Sequence, residues 1–247
     1  MVKCVNCGCE SDGKYCHECG EKMLFKRMNV RTVFYDKLYD ITHWEDTVLY
    51  TIKQLILMPG ITVRNYIHGI KKNIVKPLRY FLSVTSIHII IFRWLSIRFF
   101  EYYTTTNGNF TGEEMITEKE QFALMNANLN YFEFLLPVFF SFFFYLLYRK
   151  KHGINYAESL TAAFYWTGTM MGLAIIALLL SIIDVRFWYL GTVIDVAYIL
   201  YASLQFNGSY KFPDIIRSIV FTGLSYAAFI IITGLFSELY VEYIKKH

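Results

Sequence analysis

The segment GLAIIALLLSII, residues 172–183, is an apolar run for which a water-soluble core of this size has no use. It lies inside a longer stretch, 157–183, whose one charged side chain is Glu158. A helix needs about 20 mostly apolar residues to cross a bilayer, because each backbone N–H and C=O must find its partner within the segment itself. Four further stretches have that character: 78–100, 131–148, 187–206 and 215–236. The first of them carries His88, Arg93 and Arg98. Central charges are costly in hydrocarbon, so a re-entrant or interfacial helix competes with a full span there. The expected fold class is an all-α integral membrane protein with about five transmembrane helices.

Charge divides the chain. Up to Pro77 charges are frequent and mixed, whereas residues 78–247 supply the apolar stretches. The polar beginning resembles no cleavable signal sequence, since its first long apolar run comes too late. Residues 64–79 hold five basic side chains and no acid, and Arg149, Lys150, Lys151 and His152 follow the second stretch. Residues 101–130 hold five glutamates against Lys119. The positive-inside rule then puts the N-terminus and the basic segments in the cytoplasm and the acidic connection, read as a loop, outside. Five spans leave the C-terminus outside as well, although Lys245 and Lys246 argue the other way.

All five cysteines fall within residues 4–19. Cys4-x-x-Cys7 and Cys16-x-x-Cys19 are two pairs, each followed by a glycine, with Asp12-Gly13 between them as a hairpin signal. Two cysteines three apart on a tight turn point both sulfurs at one ion, so the pattern predicts an N-terminal zinc ribbon over residues 1–22, with a single structural zinc held by Cys4, Cys7, Cys16 and Cys19. Rubredoxin-like iron is the competing occupant. Disulfides suit an exported module, and a reducing cytoplasm disfavours them. Cys9 is read as a bystander and His17 as solvent-facing. Lys3 and Lys14 stand against Glu10, Asp12 and Glu18, which gives nucleic acid little to recognise.

Residues 23–77 read as an amphipathic juxtamembrane segment. Val48, Leu49, Ile52, Leu55 and Ile56 share a helix face, Pro59-Gly60 ends it, and Thr62 caps a second short helix. Arg64, Lys71, Lys72, Lys76 and Arg79 are the basic groups expected at the membrane surface, where anionic lipid attracts them. The cysteine ribbon, Thr51 and Leu55 leading to Pro59-Gly60, Tyr66-Ile67-x-Gly69 and Pro77 together resemble a bacterial multi-pass membrane family, the domain of unknown function 3667. Tyr156-Ala157-Glu158 and the stretch from Tyr198 to Phe206 with Tyr210 extend the resemblance. It differs at Ile70, where the family has a basic residue, and at Ser159, where it has histidine. The resemblance implies architecture and no activity; the expected location is a bacterial inner membrane.

Within the spans, Arg93 and Asp195 lie at similar depth and are expected either to pair or to separate, with Arg93 snorkelling outward and Asp195 protonated; an ion or proton path is the competing reading, and His88 is expected to pack or hydrogen-bond between helices. Glu158 at the start of the third span is an interface acid that suits a helix N-terminus. Asp184 and Arg186 flank a short turn. No catalytic motif occurs, and a lipid-modifying enzyme would have only His68, His152 and Glu158 to work with. The favoured function is a non-enzymatic adaptor or assembly protein whose ribbon recruits or senses a cytoplasmic protein partner. The alternative is a transporter subunit or an oligomeric pore, as in bacterial defence. Besides the lipid bilayer and that partner, a homo-oligomer is compatible with either reading.

Overall fold

The computed structural model describes the backbone of residues 2–21, 23, 30, 44–106 and 112–246, and the side chains of residues 2–21, 23, 30, 47–96 and 131–236. Most of the expected segment 23–43, the side chain of Arg98 and the glutamate side chains of 101–130 lie outside the described residues. A short antiparallel pair, β1 (Val2–Lys3) and β2 (Glu10–Ser11), registers Val2 with Ser11 and Lys3 with Glu10. Helices follow: α1 (Trp44–Leu57), α2 (Pro59–Ile67), α3 (Pro77–Thr106), α4 (Gly112–His152), α5 (Tyr156–Leu180), α6 (Phe187–Asn207) and α7 (Phe212–Lys246).

Local chemistry sets these boundaries. Pro59 opens α2, where its missing N–H has no helical acceptor to lose. Thr62, expected as a cap, therefore lies inside α2 and donates its hydroxyl to the Gln54 carbonyl at 3.2 Å. At the start of α5 the Asn155 side chain accepts the Glu158 N–H at 2.9 Å, and the Glu158 carboxylate accepts the Asn155 N–H at 2.8 Å. This reciprocal box satisfies two donors that the helix end leaves open, and gives Glu158 the helix-start role its position predicts.

Five helices carry segments long and apolar enough to cross a membrane: Pro77–Ser96, Tyr131–His152, Tyr156–Leu180, Phe187–Asn207 and Phe212–Phe236. The chain is read as a multi-pass membrane protein. Pro77, His152, Tyr156, Asn207 and Phe212 mark the end of the bundle nearer the cysteines, here termed the head side. The connection expected as an outer loop is instead largely helical: α3 runs on to Thr106 and α4 begins at Gly112. At 1.5 Å per residue α4 is about 60 Å long, roughly twice the hydrocarbon thickness. The charged residues before Tyr131 thus continue the helix past the apolar span.

The centre of the bundle is α5, two thirds of which is buried, against 22–44% for the other spans. Small residues make that possible. A Cβ on Gly168 would lie 3.2 Å from the Cα of Phe81 on α3, and one on Gly191 of α6 would lie 3.3 Å from the Cβ of Ala177. In lipid, close approach of backbones over small residues does the work that expulsion of water does in soluble proteins. Nearer the head side, four helices meet at Phe144 of α4, whose ring lies 4.4 Å from Tyr148, 4.9 Å from Trp166, 5.1 Å from Phe206 and 5.5 Å from Phe221. Edge-to-face packing of this kind adds to simple burial.

The apolar side of α1 and α2 was expected to lie in the headgroup layer. Leu55, Val63, Tyr66 and Ile67 are instead buried in the protein core, where α2 packs on α6. Tyr198 donates to the Leu55 carbonyl at 3.0 Å, Tyr201 to the Leu57 carbonyl at 2.6 Å and Trp166 to the Pro59 carbonyl at 3.4 Å. These hydroxyl and indole donors reach carbonyls that the end of α1 and the turn into α2 present to the bundle. Leu49, Leu57 and Ile61 remain exposed on the opposite side.

One further contact ties α3 to α4. His88 Nδ1 lies 2.8 Å from Glu133 Oε1, and both side chains are buried. The sequence reading anticipated a helix-to-helix bond for His88 but not its partner. Glu133 Oε2 makes no hydrogen bond among the described residues, so His88 is what satisfies this carboxyl group. His88→Ala is expected to lower stability by about 1–3 kcal/mol, the cost of an orphaned buried acceptor. Thermal unfolding in detergent measures it. Replacing both residues with leucine should recover most of the loss, and an unchanged transition in the single variant would refute a stabilising role.

Candidate functional site

The two cysteine turns share one construction. The Cys4 N–H donates to the Cys9 carbonyl at 2.8 Å and the Gly8 N–H to the Cys4 carbonyl at 3.0 Å. In the second turn Cys16 bonds to the Glu21 carbonyl at 2.8 Å and Gly20 to the Cys16 carbonyl at 2.9 Å. The pairing of β1 with β2 closes across the first turn, so Asp12-Gly13 joins the two turns and does not form the β1–β2 hairpin. The Sγ atoms of Cys4, Cys7, Cys16 and Cys19 all lie within 4.8 Å of one another. Cys4 and Cys19 are 3.5 Å apart, as are Cys7 and Cys16. Hydrogen bonding from the Cys7 N–H lowers the Cys4 thiol pKa and the Cys19 N–H brings Cys16 down to about 6, whereas Cys7, despite the Cys9 N–H, is pushed up to about 12 by burial and the neighbouring thiols. Backbone donors aimed at sulfur favour the thiolate, the form a metal needs. The four cysteines therefore form a group compatible with a metal site. Cys9 stands outside it, its Sγ 3.5 Å from Nε2 of His17.

A residue that the sequence reading passed over attaches this head to the membrane part. Glu21 is buried, and its Oε2 accepts the N–H groups of Lys71 and Lys72 at 3.1 and 3.0 Å. Lys72 Nζ donates to the Cys19 carbonyl. The head thus rests on the loop between α2 and α3, and nothing in the local sequence around Glu21 signals a partner 50 residues away.

The expected surface cations have different tasks. Lys71 sits over the Tyr66 ring, 5.1 Å from its centroid, and Lys72 serves the head. Lys76 and Arg79 are half-buried at the start of α3. Arg64 is half-buried. It donates from Nη2 to the Gln205 carbonyl at 3.3 Å and covers the Phe206 ring at 5.3 Å. Together with His68, His152 and Glu158 it lines a cavity of about 450 Å³ at the head side. The three residues that an interfacial chemistry would have required are thereby brought to one place.

Arg93 and Asp195 are not brought together. Arg93 is exposed on α3, whereas Asp195 Oδ1 on α6 is buried without a hydrogen bond. The reason is topological: α5 packs against both α3 and α6, which share no substantial interface. Equal depth along two helices does not make them neighbours. At the short turn that Asp184 and Arg186 flank, Arg186 Nη2 lies 3.1 Å from Asp184 Oδ2. A second polar cluster, unforeseen, joins the ends of α4, α6 and α7, where Asp214 Oδ1 receives Lys151 at 2.5 Å and Arg217 at 2.7 Å.

Fold and site define a multi-pass helical membrane protein with a four-cysteine head. Residues 45–89 match the family model described as Protein of unknown function (DUF3667), the family that the motifs resemble. The matched segment covers α1, α2, the loop that receives Glu21 and the first part of α3. No curated protein and no solved structure matches the chain.

Proposed function

We propose that Cys4, Cys7, Cys16 and Cys19 hold one structural zinc ion, and that the chain is a bacterial inner-membrane adaptor whose cytoplasmic ribbon recruits or senses a protein partner. Zinc suits four thiolates in tetrahedral array. At a Zn–S distance of about 2.3 Å the sulfurs would lie roughly 3.8 Å apart, close to the spacing of the thiols as they stand. The ion would supply the folding energy of a head whose buried core is Cys4, Cys16 and Met23.

The observation that carries this reading is the Glu21 latch. A metal-ordered head bonded to the backbone of Lys71 and Lys72 is coupled to the loop that enters α3, so a partner engaging the head acts on the bundle through that loop. Val5 and Tyr15 are exposed on the head, 47% and 63%, and offer an apolar contact suited to protein. Basic Lys71, Lys72, Lys76, Arg149 and Lys150 all lie towards the head side, which supports a cytoplasmic location for it.

Crosslinking in native membranes followed by purification tests the reading. A protein captured by the wild type should be lost from Cys16→Ser while the variant still inserts. Matching captures from the two proteins would exclude recruitment through the head.

A further inference from the structure

The head-side cavity holds a cation that forms no ion pair among the described residues, although the Glu158 carboxylate lies in the same wall. Arg64 is half-buried, its buried Nε makes no hydrogen bond among the described residues, and the Gln205 carbonyl accepts from its Nη2. No carboxylate pairs with it among the described residues. Loss of water holds its pKa below the usual guanidinium value. The neighbouring cations differ in having a carboxylate contact, since Lys151 and Arg217 share Asp214. A desolvated guanidinium with most of its five donors unused is costly to maintain and is matched to an oxyanion.

The surrounding groups fit the same ligand. His68 Nδ1 lies 2.7 Å from the Arg64 carbonyl, which leaves Nε2 to meet a guest. His152 Nε2 donates to Asn207 Oδ1 at 3.2 Å, so Nδ1 of its neutral ring is an acceptor and His152 forms part of the wall without donating to the anion. Glu158 is the acidic part of the wall, and its Oε2 is engaged by the Asn155 N–H. The guanidinium is fixed in position: α6 ends in left-handed Gly208, where a Cβ would lie 2.9 Å from Arg64 Nη1. His152 and Gly208 mark the ends of two spans, so the cavity lies at the level where phosphate is the abundant anion of a bilayer.

We propose that this cavity binds a phosphate group, with the Arg64 guanidinium as principal ligand and His68, which donates from Nε2 in its imidazolium form, as a secondary donor. The phosphate belongs either to a phospholipid headgroup or to a soluble phosphorylated compound. The proposal does not depend on the ribbon or its partner.

Two measurements on the full-length protein distinguish the sources. Native mass spectrometry after exchange into phosphatidylglycerol-doped micelles counts retained lipid. Calorimetric titration of delipidated protein with inorganic phosphate reads the soluble form. Losing one charge-assisted pair should weaken binding about tenfold or more in Arg64→Gln. His68→Ala, at an exposed position, should weaken it less, and it decides the matter should Arg64→Gln not be recovered as a folded protein. Lipid retention sensitive to these changes identifies a headgroup site, and sensitive phosphate binding identifies a soluble ligand. Equal binding by wild type and variants, or no binding of either probe by the wild type, overturns the proposal.

Discussion

Gly60→Ala is expected to destabilise the helical domain by about 3 kcal/mol or more, the upper end of what overpacking costs. A Cβ at this position would lie 2.1 Å from the backbone N of Phe206, 2.5 Å from the carbonyl carbon of Gln205 and 2.6 Å from the Ala202 carbonyl oxygen. These are main-chain atoms of α6, so no side-chain rotation relieves the clash and α2 must move off α6. The displacement would break more than van der Waals contact. Gln205 Oε1 accepts the N–H groups of Gly60 and Ile61 at 2.9 and 3.3 Å, and so caps α2 from a position 145 residues along the chain. The Trp166 bond to Pro59 and the Arg64 bond to Gln205 would go with it. Thermal unfolding in detergent reads the effect. Gly223→Ala is the internal comparison: a Cβ there meets nothing within 4 Å, and alanine in an exposed helix position should gain about 0.5–1 kcal/mol. Equal transitions for the two variants would show that the approach of α2 to α6 is not a stability determinant.

This contact also shows what a one-dimensional reading can and cannot reach. Five spans were legible because hydrocarbon imposes a length and a composition on each segment separately, and the apolar windows of α3 to α7 fall within a few residues of the expected bounds. The four cysteines were legible for a similar reason, since two local turns fix their spacing. Pairings between helices were not. Arg93 and Asp195 invited each other by depth, but depth says nothing of which helices adjoin, and the inserted α5 separates them. Glu133 went unnoticed beside Tyr131 at the start of an aromatic span, although a carboxyl group inside an apolar window is itself a signal that a partner must exist. Val48, Ile52 and Leu55 face inward as the pattern predicts, whereas Leu49 and Ile56, assigned to the same face, are exposed, and the target of that face is protein where lipid was expected. An apolar face cannot tell the two apart. What favours protein is the residue set quoted for the resemblance: Thr51, Leu55, Gly60, Tyr66, Tyr198 and Phe206. Thr51 accepts the Val75 N–H at 3.0 Å, Tyr66 packs edge-on to Tyr165 of α5, and the rest meet at the α2–α6 contact.

Cys16→Ser is expected to reduce bound zinc from about one ion per chain to a level near zero, and to unfold the head without unfolding the helices. The head has Cys4, Cys16 and Met23 for a buried core and a two-residue strand pair, far too little apolar surface to offset the ordering of its backbone. Structural zinc in small domains contributes about 10–16 kcal/mol, so folding and metal binding are one equilibrium there. The helical domain is independent of that equilibrium because its core runs from Leu55 to Phe221 and includes no head residue. Elemental analysis of the purified protein gives the metal content. Proteolysis of the head, set against the thermal transition of the helices, separates the two effects. Acid should mimic the substitution. The Cys19 N–H depresses the Cys16 thiol from 9.0 to about 6, so its thiolate contributes above that range and is lost as pH falls through the lower value. A bound metal competes with the proton at all four thiols, so zinc should be retained at neutral pH and released on acidification. Full zinc retention by Cys16→Ser, or helices that lose stability together with the head, would contradict a metal-folded module docked on an autonomous bundle.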